Sequence, residues 1–189
     1  MPTVTKGWSL SPGEKKRIRV DHHFLSEAME DQLNGIENER VLDTKTGEVL
    51  HFSSEELQAA EEEKASDEDY PEWQQDMIER ARAFLNEPDK SRYISIEPIS
   101  PRAAHDHMRE FSDSVEDRKF QSILYKSLSG DRPFRRFKDA LEYDGDERER
   151  WFKFKDKKMC GVMEGWLEGL DLEGVEFYIE PVCPERVNG

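Results

Sequence analysis

Cysteine is scarce in this 189-residue chain: Cys160 and Cys183 are the two present, and they stand in no CxxC spacing. Two thiols cannot build the disulfide framework on which small secreted domains depend, so both read as reduced. Long apolar runs are missing as well. No stretch approaches the roughly 20 apolar residues that a bilayer-spanning helix needs, and the opening residues lack the basic start and apolar run of a secretory signal. These absences place the chain in the cytoplasm, away from membranes. Positive charge is in deficit: 28 Lys and Arg face 43 Asp and Glu, for a formal net charge of −15. A field of that sign repels nucleic acid and anionic lipid, so broad binding to either is disfavoured. No GxSxG, HExxH, P-loop or GxGxxG pattern occurs, and neither cysteine has the context of an activated nucleophile. No catalytic residue, metal site or cofactor is assigned.

What is present is enough for a small core. Apolar residues make up 35% of the chain, and ten Phe, four Trp and five Tyr supply much of the bulk. Residues 1–17 mix Pro, Gly, Ser, Thr and Lys without periodicity and read as a loosely docked arm. Order is expected from Ile18 onward. Asp21 can cap a helix carrying Phe24, Leu25, Ala28 and Met29 and ending near Asn34-Gly35. The segment RVLDTKTGEVLHF sets Val41 and Leu42 against Val49, Leu50 and Phe52 around turn-forming residues, which predicts a β-hairpin closed by Gly47. Ser53 or Ser54 then caps a helix that degenerates into an acidic run. Between Glu55 and Glu72 the one basic residue is Lys64, so 55–72 reads as a solvated linker or an exposed helix, with a decoy surface for a basic protein groove as its functional alternative.

Beyond that run, Trp73, Met77, Ala81 and Leu85 recur every fourth residue and predict a helix stopped before Pro88. Alternation over Tyr93 to Glu97 predicts a strand. Helices follow over about 101–112, with Met108 and Phe111 inward, and about 115–128, with Phe120, Ile123, Leu124 and Leu128 inward and Asp113 or Ser114 as cap. A long helix spans about 147–170, with the stripe Phe152, Lys155, Met159, Val162, Trp166, Leu170, widened by Trp151 and Phe154. The closing VEFYIEPV reads as a strand joining the sheet that contains Tyr93 to Glu97. The fold class is therefore α+β, a helix-dominated single domain over 18–189 with a small antiparallel sheet.

The block GDRPFRRFKDAL, Gly130 to Leu141, concentrates the chemistry. Asp131 or Gly130 is the expected N-cap, and Pro133 fits the first turn, where its missing N–H costs nothing. Phe134, Phe137 and Leu141 define an apolar face, while Arg132, Arg135, Arg136 and Lys138 occupy the rest. Cations at the positive end of a helix dipole are unfavourable by roughly 0.3 to 1 kcal/mol each, so something must compensate them. Intramolecular carboxylates such as Glu97, Glu110, Asp113, Glu116 and Asp117 are one answer. The other is an anion site in which Arg132, Arg135, Arg136 and Lys138 hold a phosphate-bearing ligand. The histidines His105 and His107 do not suggest a metal site, because positions two apart on a helix point about 200° from one another.

Taken together, LDTKTGEV (Leu42 to Val49), PEW (Pro71 to Trp73), YISIEP, HDHMREF (His105 to Phe111), RPFRRFKDAL, ERWFKFKD and GWLEGL resemble, in order and spacing, the bacterial Uncharacterised Protein Family number one hundred and fifty-eight. The resemblance extends over nearly the whole chain beyond Ile18, with the N-terminal arm and the tail after Asp171 standing apart from the pattern. It carries no activity with it. The functional expectation is a non-enzymatic protein-binding module acting through its acidic face or an aromatic patch. Binding of a phosphate ligand, nucleotide or nucleic acid at the arginine-rich helix start is the alternative, and a hydrolase using carboxylate or His chemistry comes third.

Overall fold

The structure is a computed structural model and describes residues 15–30, 38–62, 70–170 and 172–180. Two sheets and seven helices appear among them. Strand β2 (Asn38–Asp43) pairs antiparallel with β3 (Val49–Ser53) on one side and β4 (Tyr93–Ser95) on the other, giving the order β3-β2-β4. This is the expected hairpin and its expected third strand. The turn closes where Gly47 adopts a φ of 79° and donates its N–H to the Asp43 carbonyl. Asp43 is buried, and its carboxylate accepts from the Lys45 N–H and from Arg92, 3.0 Å away. Arg92 also reaches Glu87 at 2.6 Å, and that hydrogen bond holds the Glu87 carboxyl below its ordinary range. The TKTG turn is thus clamped by the segment that leads into β4.

Side-chain alternation along β2 splits the interior in two. Val41 joins Leu50, Phe52 and Ala81 beneath helices α2 (Ser54–Glu61) and α3 (Glu72–Leu85). Its neighbour Leu42 points the opposite way, into a cluster with Leu25, Met29, Met159, Met163 and Ile179. α2 begins with a full capping box: Ser53 Oγ accepts from Glu56 N, and the Glu56 carboxylate accepts from Ser53 N. The helix expected from Ser53 thus runs to Glu61 through the first part of the acidic stretch, and 63–69 lie outside the described residues. α3 starts as expected, but Trp73 is exposed and Ile78 takes its place in the core with Ala81.

Helix α1 (His22–Glu30) is capped by Asp21, whose carboxylate accepts from the His23 and Phe24 N–H groups. The expected end near Asn34-Gly35 lies outside the described residues. Preceding it, β1 (Lys16–Asp21) extends order two residues further back than expected and pairs in parallel with β5 (Val175–Glu180), Lys16 opposite Val175 and Asp21 opposite Glu180. The closing strand therefore does not join the sheet of Tyr93, as expected. It forms a separate two-stranded parallel pair, because the inward side chains Val20 and Ile179 share the Leu42 cluster with α1.

A further core lies wholly among helices. α4 (Pro101–Asp113), α5 (Arg118–Leu128) and α6 (Pro133–Leu141) enclose Met108, Phe111, Phe120, Leu124, Phe137 and Leu141. Asp117, not Asp113 or Ser114, caps α5. Ile123 is half-exposed, as is Phe134 on α6; both leave the core faces assigned to them, and Ala140 fills the α6 position. The long α7 (Gly145–Gly169) starts at the Asp144 cap and serves two of these three clusters, the helical one and that of Leu42. Trp151 and Phe154 stack edge-on and tilted against Phe111 in the helical cluster, with ring centroids 5.2 and 5.6 Å away. Met159, Cys160, Met163 and Leu167 enter the Leu42 cluster. Met159 of the expected stripe is buried and Val162, Trp166 and Leu170 pack against this cluster, but Met163 and Leu167 take the innermost places and Phe152 is left outside.

Candidate functional site

Helix α6 begins differently from its sequence expectation. Arg132, not Asp131 or Gly130, occupies the N-cap, in the left-handed region with φ 55°, and no side chain caps the helix. Arg136 turns back to α5 and donates to the Ser129 carbonyl at 2.5 Å and the Lys126 carbonyl at 2.9 Å. Both carbonyls lie at the negative end of the α5 dipole, where a guanidinium is well placed; that of Lys126 also accepts from the Ser129 N–H. Arg135 lies along its own helix, 4.0 Å from Asp139 and largely exposed. Compensation for the arginine block thus comes from the end of α5 and from Asp139. Three of the five carboxylates anticipated for that role have other tasks: Glu110 pairs with Lys158 at 2.5 Å, Asp113 accepts from the Tyr125 hydroxyl, and Asp117 caps α5. Arg132, Arg135, Arg136 and Lys138 line neither of the two leading cavities.

The larger of those cavities, about 830 Å³, lies where α1 meets α7. His22, His23, Ser26 and Glu27 form one wall, and Phe152, Lys153 and Asp156 the other. Lys155 bridges the two helices by an ion pair with Glu30 at 2.5 Å. Phe152 stands 48% exposed on its wall, and Phe24, 56% exposed, lies outside the lining, next to the His23 ring. At the inner edge, His22 Nε2 is 3.5 Å from Asp156 Oδ1 and 3.2 Å from Cys160 Sγ. Among the described residues, His22, Asp156 and Cys160 bring one ligand atom each within 4.8 Å of one another. Cys160 is disulfide-bonded, contrary to the reduced thiol its spacing suggested; the corresponding expectation for Cys183 falls outside the described residues.

The histidine pair on α4 behaves as its helical spacing requires. His105 Nε2 is 3.3 Å from the Leu128 carbonyl, while burial and the nearby Lys158 charge push His107 below its ordinary value. The two rings therefore serve different neighbours.

The sequence profile of the uncharacterised protein family UPF0158 matches residues 65–177. The chain belongs to this family. It is 26% identical over 88 residues to the UPF0158 protein PA5073 of Pseudomonas aeruginosa, an alignment that takes in 47% of this chain and 56% of that relative. The chain thus spans a little over half the length of the curated relative it matches. No solved structure matches it. The UPF0158 span holds α3 to α7 and runs three residues into the VEFYIEPV strand, so that strand is not wholly an extension of the family. The LDTKTGEV hairpin and α1 precede the span. The α1–α7 cavity therefore joins one wall inside the UPF0158 match to one outside it. The Asp21 cap of α1 was legible in the sequence; that His22 beside it meets α7 was not. The available signal was Asp156 and Cys160, four apart and hence on one helix face.

Among the described residues no helix is long and apolar enough to cross a membrane.

Proposed function

We propose that this UPF0158 chain is a non-enzymatic protein-binding module, and that its docking face is the α1–α7 concavity. The observation that carries the reading is the exposed Phe152 ring on the wall of a cavity that also presents Glu27 and Asp156, with a second exposed ring, Phe24, beside it, its centroid 5.8 Å from that of the lining His23. Aromatic side chains bring large contact area at low entropic cost, and they are enriched where partners dock. The partner's chemistry follows from charge. With a net charge of −15, the chain draws a basic surface toward itself and repels acidic ones. The occupant is therefore a protein presenting cationic side chains around an apolar tip. The arginine-rich start of α6 supports the alternative less well, because Arg136 is committed to α5 carbonyls.

Affinity capture from a lysate of the native host, comparing wild type with a Phe24→Ser/Phe152→Ser double variant, tests this. A basic protein should be retained by wild type, released as salt rises, and lost from the variant. Recovery of the same proteins by both would overturn the assignment.

A further inference from the structure

At the inner edge of the α1–α7 cavity, three side chains of different chemistry converge from two elements. His22 is placed by the Asp21 cap at the first position of α1. Asp156 and Cys160 are one turn apart on α7, so both face α1. The separations of 3.5 Å from His22 Nε2 to Asp156 Oδ1 and 3.2 Å to Cys160 Sγ are informative. With zinc bonds of about 2.0 to 2.3 Å in a tetrahedral arrangement, ligand atoms stand about 3.3 to 3.6 Å apart. Both separations from His22 therefore lie within a few tenths of an ångström of metal-ready ones, and all three ligand atoms lie within 4.8 Å of one another. The donor set, imidazole, carboxylate and thiolate, suits zinc among the biological divalent ions. Exposure grades outward across the set: Cys160 is buried, the His22 side chain is 15% exposed, and that of Asp156 is 46% exposed. An ion held there keeps a coordination position toward the cavity.

One element of the set is withheld. A disulfide sulfur is not a thiolate, and Cys160 is disulfide-bonded. We infer that His22, Asp156 and Cys160 form a redox-gated site for a divalent zinc-like ion, closed while the Cys160 disulfide stands and opened by its reduction. The reductant is a dithiol. It passes two electrons and two protons to the disulfide, leaving the Cys160 thiol and the thiol of its former partner, while the dithiol closes to its own disulfide. The incoming ion then displaces the Cys160 proton to solvent, and the thiolate, the His22 ring nitrogen and the Asp156 carboxylate bind it.

Cobalt(II) is the probe, because a thiolate ligand announces itself by a charge-transfer band and tetrahedral geometry by d–d absorption. The full chain reduced with a phosphine, which adds no competing thiol, is expected to show both and to lose them on addition of zinc. The oxidised chain is expected to show neither. Cys183→Ser leaves Cys160 as the single thiol and should show the bands without any reductant. Asp156→Ala, at a half-exposed position that leaves the core intact, should weaken cobalt binding by at least about tenfold, the loss that even an outer-sphere partner brings. His22→Gln should do the same. A reduced chain without the charge-transfer band overturns the inference, as do bands that survive in Cys160→Ala or tightness unchanged in Asp156→Ala.

Discussion

At the residue scale, the arginines of α6 look alike in sequence and differ in situation. Arg136 closes the end of α5 by two bonds to carbonyls, whereas Arg135 holds an exposed contact with Asp139. A charged donor to carbonyls at a helix C-terminus is worth about 1 to 2 kcal/mol, while an exposed pair is worth about 0 to 1. Urea denaturation should therefore find Arg136→Ala less stable than wild type by about 1 to 2 kcal/mol and Arg135→Ala within about 0.5. Gly47 offers a second contrast. A Cβ there would lie 1.9 Å from the Arg19 carbonyl oxygen of β1, in a backbone conformation that side chains resist. Gly47→Ala should lower the thermal midpoint and cost more than about 1 to 3 kcal/mol, since strain adds to the clash. The turn residue was legible as a turn residue. That it abuts β1 was not, because the contact joins segments that periodicity treats separately.

At the scale of elements, much was legible wherever a signal is local. The Ser53 capping box, the Asp21 cap and the β2–β3 hairpin each depend on residues a few positions apart, and each appears where the sequence puts it. Apolar stripes were less reliable. α7 turns from one core to another along its length, so no single stripe describes it, and Phe152 was assigned inward for that reason. The candidate site suffered likewise, since α1 and α7 pair across more than a hundred residues. Helix contact also tunes titration. Where α4 meets α7, His107 is pushed below its ordinary value of 6.5, first by burial and then by Lys158, against the opposing pull of Glu110 and Asp106. The unfolded chain then takes up this proton at a higher pH than the folded one. Stability should be full above about pH 6.5 and fall as pH drops through that value toward the folded one. His107→Gln should flatten this slope in denaturation curves recorded across the range.

On the scale of the whole molecule, the described residues divide into a helical cluster assembled from neighbours in sequence and a sheet-centred interior assembled from distant ones. α4, α5 and α6 follow one another directly, and Trp151 and Phe154 complete their cluster within the next few turns. Contacts close in sequence form fastest, because little loop entropy is lost before they reward it. Pulse-labelled hydrogen exchange during refolding should protect amides of α4 to α6 before those of β1 and β5. Simultaneous protection of all of them would contradict this order. Nothing in residue spacing announces that β1 waits for β5, since parallel pairing has no turn to mark it.

That parallel pair sets a clock on synthesis. Lys16 leaves the ribosome about 160 residues before Val175, its partner. At the usual pace of about 5 to 20 residues per second, β1 spends on the order of 10 to 30 seconds without it. For that interval the apolar side chains of Ile18 and Val20 are open to whatever is nearby, including chaperones. The α1–α7 cavity, one of whose walls follows directly on β1, is therefore among the last parts of a newborn chain to be ready for a visitor.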